Sequence, residues 1–89
     1  MRAPWLRLLV LFLRKAMTEK PHIGQRVRLN DYGYSRLHLQ SADAIRQSTD
    51  MRITNVENMG YDNAPIWAID VDQPEINIFM LHASMVEPI

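Results

Sequence analysis

The stretch that decides the fold is residues 65–81, which read Pro-Ile-Trp-Ala-Ile-Asp-Val-Asp-Gln-Pro-Glu-Ile-Asn-Ile-Phe-Met-Leu. Two apolar runs flank the turn-forming residues 72–75, and in both runs apolar residues recur at every second position. Alternation with a period of two on either side of turn-forming residues is typical of two strands joined by a turn. The sequence therefore predicts an antiparallel hairpin at the centre of the fold.

The two faces of this hairpin depend on the register of its strands. If the loop has an even number of residues, directly opposed residues point to the same side of the sheet. The expected core face then carries Trp67, Ile69, Val71, Ile76, Ile78 and Met80. The expected second face carries Ile66, Ala68, Asp70, Asn77, Phe79 and Leu81. Because this second face is apolar at its base, we expect it to need a cover or a partner.

Two strands are predicted ahead of the hairpin. Residues 23–30 alternate between apolar and polar side chains, which indicates a half-buried strand. Its expected inward side chains are Ile23, Val27 and Leu29. Residues 51–57 form the next strand, and we expect an irregularity near Asn55 because Val56 falls out of phase.

The remaining segments are shorter or less regular. Residues 30–50 begin with strong turn formers and predict one long, partly ordered loop. Within it, residues 36–40 alternate briefly, and residues 41–47 begin with a capping serine that predicts one or two helical turns. After the hairpin, residues 82–84 predict a single turn and residues 85–89 a short edge strand.

Composition limits the classes of function. The chain has 89 residues and no cysteine, which is enough for one small domain and excludes disulfides and thiolate chemistry. Positions 1–52 hold ten basic and four acidic residues, a net charge of +6, whereas positions 53–89 hold six acidic and no basic residues, a net charge of −6. We expect either neighbouring strands whose charges offset one another or a dipolar surface that supports association.

An N-terminal hydrophobic and basic extension, residues 1–22, precedes the predicted β domain at residues 23–89. Its apolar run, residues 5–13, is shorter than the roughly 20 residues that a membrane-spanning helix needs. A secretory signal fits the beginning of this run but not its end, because Arg14 and Lys15 stand where a small-residue cleavage site would be.

Two interpretations of this extension stay open. It is either a basic interfacial helix that associates with a membrane, or an upstream stretch, residues 1–16, from a misplaced start with Met17 as the true initiator. If the segment forms a helix in the native protein, we expect its apolar side to cover the second face of the hairpin.

The tail of the chain reads Leu81-His82-Ala83-Ser84-Met85-Val86-Glu87-Pro88-Ile89. It resembles the ending of SH3 domains, where an apolar residue precedes Pro-Ser-Asn-Tyr-Val and a closing apolar residue. Over about 65 residues, the order of strand, long loop, three strands, single turn and closing strand also resembles the SH3-like small barrel. The resemblance implies a mainly β fold, a five-stranded antiparallel barrel with a long first loop.

The residues that form the peptide groove of SH3 domains differ here. His82 replaces the usual Pro, Met85 replaces the Tyr, and Ile66-Trp67 stands where many SH3 domains carry a Trp pair. Binding of polyproline ligands is therefore not implied. The opening Gly-Gln-Arg-Val-Arg, residues 24–28, is also similar to the first strand of KOW-type barrels that bind RNA or protein. As a whole, the chain looks like a small accessory protein of a phage or mobile element.

No sequence pattern for catalysis or metal binding appears. The three histidines are His22, His38 and His82. They share no spacing that would bring imidazoles together for zinc or acid–base chemistry. Asp70, Asp72 and Glu75 could supply oxygen ligands to a hard cation, but an acidic hairpin tip is more often simply solvated. We therefore predict a cytoplasmic protein with no enzymatic activity, no metal and no cofactor.

Two hypotheses for function remain, and they use different residues. The first is a protein-interaction module that binds an unidentified protein or forms a homo-oligomer. Its candidate contacts are Tyr32, Tyr34, Ile66, Phe79 and Leu81. The second is a nucleic-acid-binding barrel with a basic and aromatic face. Its candidate contacts are Arg26, Arg28, Tyr32, Tyr34 and Arg36. Membrane association is expected only if residues 1–16 belong to the native protein.

Overall fold

The computed structural model describes residues 19–89. Five strands form one antiparallel sheet: β1 (Arg26–Leu29), β2 (Met51–Asn58), β3 (Trp67–Val71), β4 (Leu81–His82) and β5 (Val86–Pro88). Three short helices connect them: α1 (Asp31–Leu37), α2 (Ala42–Gln47) and α3 (Pro74–Asn77), with a 3-10 turn at Ala83–Met85. The prediction of a small, mainly β domain is confirmed. The interpretations of residues 1–16 lie outside the described residues.

The strands follow the order β4-β3-β2-β1-β5. Strands β4 and β5 therefore lie at opposite edges, and within residues 19–89 the sheet stays open. The inward side chains of all five strands form one buried core, which consists of Val27, Leu29, Met51, Ile53, Ile69, Val71, Leu81 and Val86 together with residues from the helices and turn. Each fully buried aliphatic side chain of this kind contributes about 1.5–3 kcal/mol.

The predicted register of the central hairpin is wrong, because the connection between its strands has an odd and not an even number of residues. Ile69 lies opposite Leu81 and Ala68 lies opposite His82, which leaves an odd number of residues in the connection. Side chains along a strand alternate between the two faces, so this difference moves every residue of the second strand to the other face. Leu81 is consequently buried in the core, only 1% exposed, although it was expected on the second face.

Residues 76–80 are also not the strand that their alternation predicts. Pro74 occupies the first turn of α3, where its missing N–H costs nothing, and Ile76 is the buried side chain of that helix. The side-chain oxygen of Asn77 accepts a hydrogen bond from the Val71 N–H at 2.8 Å, which ties α3 back to β3. Ile78 and Met80, both expected in the core, are 76% and 73% exposed.

The first strand is shorter than predicted because a turn precedes it. The N–H of Gln25 donates to the carbonyl of His22 at 3.1 Å, and Gly24 adopts a left-handed φ of 89° that favours glycine. Ile23 therefore lies in the turn and is 68% exposed instead of facing the core.

The long first loop contains two helices. The prediction of a helix after Ser41 is confirmed: its side chain caps α2 by accepting a hydrogen bond from the Ala44 N–H at 3.0 Å. The alternating segment 36–40, by contrast, is not extended, because its first residues end α1. Asn30 caps α1 by accepting a hydrogen bond from the Gly33 N–H at 2.8 Å. Residues interpreted as turn formers thus begin a helix.

Candidate protein-binding face

Strand β2 has the irregularity near Asn55 that the sequence predicts. This irregularity determines which side chains of β2 face solvent. The register shifts between Ile53 and Asn55, and beyond the bulge Asn55 lies opposite Asp70 and Glu57 lies opposite Ala68. The bulge moves Val56 inward and leaves Asn55 and Glu57 facing solvent.

The same side continues past the end of the strands. The N–H of Met59 donates to the carbonyl of Ile66 at 2.8 Å, which extends the pairing by one position. From the other edge, Met80 reaches this surface because Phe79 before it packs against the core and Leu81 after it is buried. We call this surface the outer face and define it by Asn55, Glu57, Met59, Ile66, Ala68, Asp70 and Met80.

A shallow cleft of about 150 Å³ lies on the outer face. Its lining combines the apolar side chains of Met59, Ala68 and Met80 with the carboxylates of Glu57 and Asp70. Residues 53–89 contain no Lys or Arg, and none of the ion pairs within residues 19–89 involves Glu57 or Asp70. The outer face therefore offers exposed apolar surface beside negative charge.

The candidate partner contacts are not brought together by the fold. Ile66 lies on the outer face as expected, but Phe79 packs against the core. Leu81 lies at the floor of the cleft, yet it is only 1% exposed and belongs to the core, so its expected exposure on that face is wrong. Tyr32 and Tyr34 lie on α1, which contacts β1 and the 3-10 turn at the other side of the sheet. The hydroxyl of Tyr34 forms a 2.7 Å hydrogen bond with that of the buried Ser48.

Two arginines of the basic and aromatic set, Arg26 and Arg28, form ion pairs with acidic residues. Arg28 pairs with Glu87 across β1 and β5 at 3.1 Å, and Arg26 pairs with Asp50 at 2.8 Å. The hydrogen bond from Arg26 lowers the pKa of the Asp50 carboxyl, and the same bond raises the pKa of Arg26. Of these two pairs, Arg28–Glu87 joins the basic and the acidic half of the chain across neighbouring strands, whereas Arg26–Asp50 lies within the basic half. Arg36 lies exposed on α1, beside the two tyrosines in sequence.

The other chemistry-bearing residues are dispersed. Asp72 accepts a hydrogen bond from the Arg52 backbone N–H at 2.8 Å, and the N–H of Glu75 donates to the side chain of Gln47. Within the described range, no group of three or more potential metal-ligand side chains converges. Across residues 19–89, no helix has the length and apolar character needed to cross a bilayer.

Sequence reasoning missed two residues of the outer face and one contact on the opposite side of the sheet. No predicted strand includes Met59, Met80 is expected in the core, and Lys20 falls in the N-terminal extension. The Lys20 ammonium lies over the ring of Trp67, 5.5 Å from its centroid, at the start of β3. No sequence signal identifies that contact, whereas the place of Met80 follows once the connection is known to have an odd number of residues.

Comparison of the chain with protein-family models, with curated proteins and with solved structures gave no match in any of the three.

Proposed function

We propose that this domain is a non-enzymatic protein-interaction module that binds a protein partner through its outer face. A single observation carries the proposal: Met59 and Met80, 54% and 73% exposed, line one cleft, and Ile66, 48% exposed, lies opposite Met59 on the same face. Large apolar side chains that gather on one surface, beside polar groups, are characteristic of interaction sites. A domain that acts only by binding a partner would serve an accessory or regulatory role.

The side chains themselves suit recognition of a protein. Methionine is flexible and polarizable, is enriched at interfaces, and can adapt to the shape of an incoming side chain. The two carboxylates at the cleft, Glu57 and Asp70, would select for a partner that places cationic groups beside its apolar residues. A second copy of this chain is one partner with that chemistry, since its basic residues all lie at or before position 52.

The finer description of the fold belongs to the proposal. We assign the open five-stranded sheet to the SH3-like small barrels. Support comes from the order of elements, with a long first connection, three consecutive strands, and a 3-10 turn before the closing strand. The 3-10 turn contacts both β3 and β5, which brings the two halves of the sheet together at that end.

The observed contacts weigh against nucleic acid as the ligand. Residues 19–89 carry six basic and ten acidic residues, a net charge of −4, and affinity for nucleic acid depends chiefly on neutralising phosphates. Arg26 and Arg28 would also have to leave their carboxylate partners. The outer face is the better supported site.

The proposal is tested by capturing partners from a lysate of the native host with the full chain and with two matched variants. Met80→Ser removes an exposed apolar side chain from the outer face, and Ile23→Ser removes one of similar exposure from the turn before β1, which is not part of that face. Burial of a Met side chain is worth about 1.5–3 kcal/mol, so Met80→Ser should weaken capture of the specific partner roughly 10- to 150-fold. Ile23→Ser should capture as the wild type does.

Two controls make the result decisive. Circular dichroism should show that both variants are folded, and the 260/280 nm absorbance ratio should report any nucleic acid in the captured material. Equal capture by both variants would contradict the proposal. Captured material with a high absorbance ratio that is released by moderate salt would favour the basic and aromatic residues instead.

A further inference from the structure

The outer face has a chemical complement in the same chain. It presents Met59, Ile66 and Met80 beside Glu57 and Asp70, with Asp62 in the adjoining loop. Residues 5–15 have the opposite charge on an equally apolar background. Their sequence is Trp-Leu-Arg-Leu-Leu-Val-Leu-Phe-Leu-Arg-Lys, which carries three cations and no carboxylate.

The chain enters the described structure next to β3, on the side of the sheet opposite the outer face. Lys20 lies over Trp67, whose side chain alternates with those of Ile66 and Ala68 and so points away from the outer face. Strand β4 pairs with β3 only at Ala68 and Ile69, so the first and last residues of β3 extend beyond β4. The four residues 16–19 can span about 13 Å when extended. One sheet layer with its side chains is about 10 Å thick, so this link is long enough to carry the chain past the edge of the sheet to the outer face.

The lengths of the two surfaces also agree. From Ile66 to Asp70 the outer face runs about 13 Å along the strand direction, at 3.3 Å per residue. The nine apolar and basic residues 5–13 would cover about 13 Å as a helix.

From this complementarity we infer that residues 5–15 dock on the outer face of the same molecule. The segment places its leucines against Met59, Ile66 and Met80, and its cations against Glu57 and Asp70. This inference rests on the proposed function, because it names the kind of sequence that the outer face binds: an apolar segment with Lys or Arg beside it. A separate protein partner must then displace the chain's own segment.

Because the chain has no cysteine, disulfide trapping in the full chain tests the inference directly. The double variant Leu9→Cys/Met80→Cys places one thiol in the segment and one on the outer face. The matched control, Leu9→Cys/Arg36→Cys, keeps the first thiol and moves the second to an exposed position on α1. Both are incubated at low protein concentration with oxidised glutathione, and intramolecular disulfides are measured by intact mass and non-reducing electrophoresis.

A docked segment holds the two thiols at a higher effective concentration than an untethered tail does, so the Met80 pair should close about tenfold faster than the Arg36 pair. Adding Arg14→Glu and Lys15→Glu to the Leu9→Cys/Met80→Cys variant should lower its rate of intramolecular disulfide formation to that of the control. Equal rates in the two pairs would overturn the inference. Disulfides formed mainly between two molecules would overturn it as well and would assign the face to a second copy.

The outcome is separable from that of the capture experiment. If Met80→Ser loses a partner but the Met80 pair closes no faster than the control pair, the proposed function stands and the inference fails. If the pair closes rapidly but Met80→Ser captures everything that Ile23→Ser does, the segment docks and the proposed partner site fails.

Discussion

Substitution of Gly33 by Ala tests whether α1 lies directly against the closing segment of the chain. Gly33 is buried in the middle of α1, and a Cβ at this position would fall within contact distance of the Met85 carbonyl oxygen and 2.9 Å from Leu29 Cδ2. The side chain of Leu29 can move, but the Met85 oxygen belongs to the backbone. The helix must therefore shift away from the 3-10 turn.

The expected loss of stability can be worked out from the contacts that this shift disturbs. Asn30, at the start of α1, donates from its backbone N–H to Met85 at 3.0 Å and from its side chain to Ser84 at 2.8 Å. Weakening two hydrogen bonds costs about 1 kcal/mol each. Overpacking adds about 1–3 kcal/mol, and the better helix propensity of Ala returns about 1 kcal/mol. The free energy of unfolding should fall by about 2–4 kcal/mol.

The assay is urea unfolding followed by circular dichroism, with Arg36→Ala as the control on the same helix. Arg36 is exposed, so the control should change the free energy of unfolding by less than about 0.5 kcal/mol. A domain of this size loses roughly 4–8 °C of melting temperature per kcal/mol, so Gly33→Ala should melt at least 8 °C lower. If Gly33→Ala is as stable as the wild type or more so, α1 does not pack against the turn as described.

Three further predictions concern single interactions. Asn30→Ala removes the α1 cap and two bonds to backbone carbonyls, and should lower the free energy of unfolding by about 2 kcal/mol, whereas Asn30→Asp keeps the cap and should lose about half as much. In an NMR titration, Asp50 should show a pKa below its ordinary 3.8, and Arg26→Ala should raise that pKa because the hydrogen bond from Arg26 is the largest cause of the shift. Because the folded pKa is lowered, the small stabilisation from this exposed pair is present above about pH 4 and is lost as the pH falls through the folded pKa. Tyr34→Phe removes the hydrogen bond to Ser48 and should cost about 1 kcal/mol in urea unfolding, and no loss would show that this bond contributes nothing.

The parts of the fold that the sequence predicts are those that local patterns determine. Alternation of Met51 and Ile53 with exposed residues predicts β2, and the phase change at Val56 predicts the bulge. A capping side chain followed by helix formers predicts α2 from Ser41 onward. Each of these signals acts within a few residues, so tertiary contacts do not need to be known.

The parts that were wrong depend on contacts between distant residues. Glycine disfavours a helix by about 1 kcal/mol, yet Gly33 lies within α1 because the backbone of Met85 leaves no room for a side chain. The register of β3 with β4 depends on the parity of the connection, and local alternation is the same for either parity. Because the parity was wrong, Leu81 was expected on the outer face in place of Met80. Met80, the most exposed apolar side chain of the candidate site, was therefore missed.

The candidate site therefore depends on the register of β3 with β4, and NMR measurement of cross-strand nuclear Overhauser effects tests it most directly. The account predicts backbone contacts between Ala68 and His82 and between Ile69 and Leu81, together with a contact between the methyl groups of Met80 and Ala68. Backbone contacts of Ala68 with Phe79 would contradict it, because that register places Met80 in the core and removes it from the outer face.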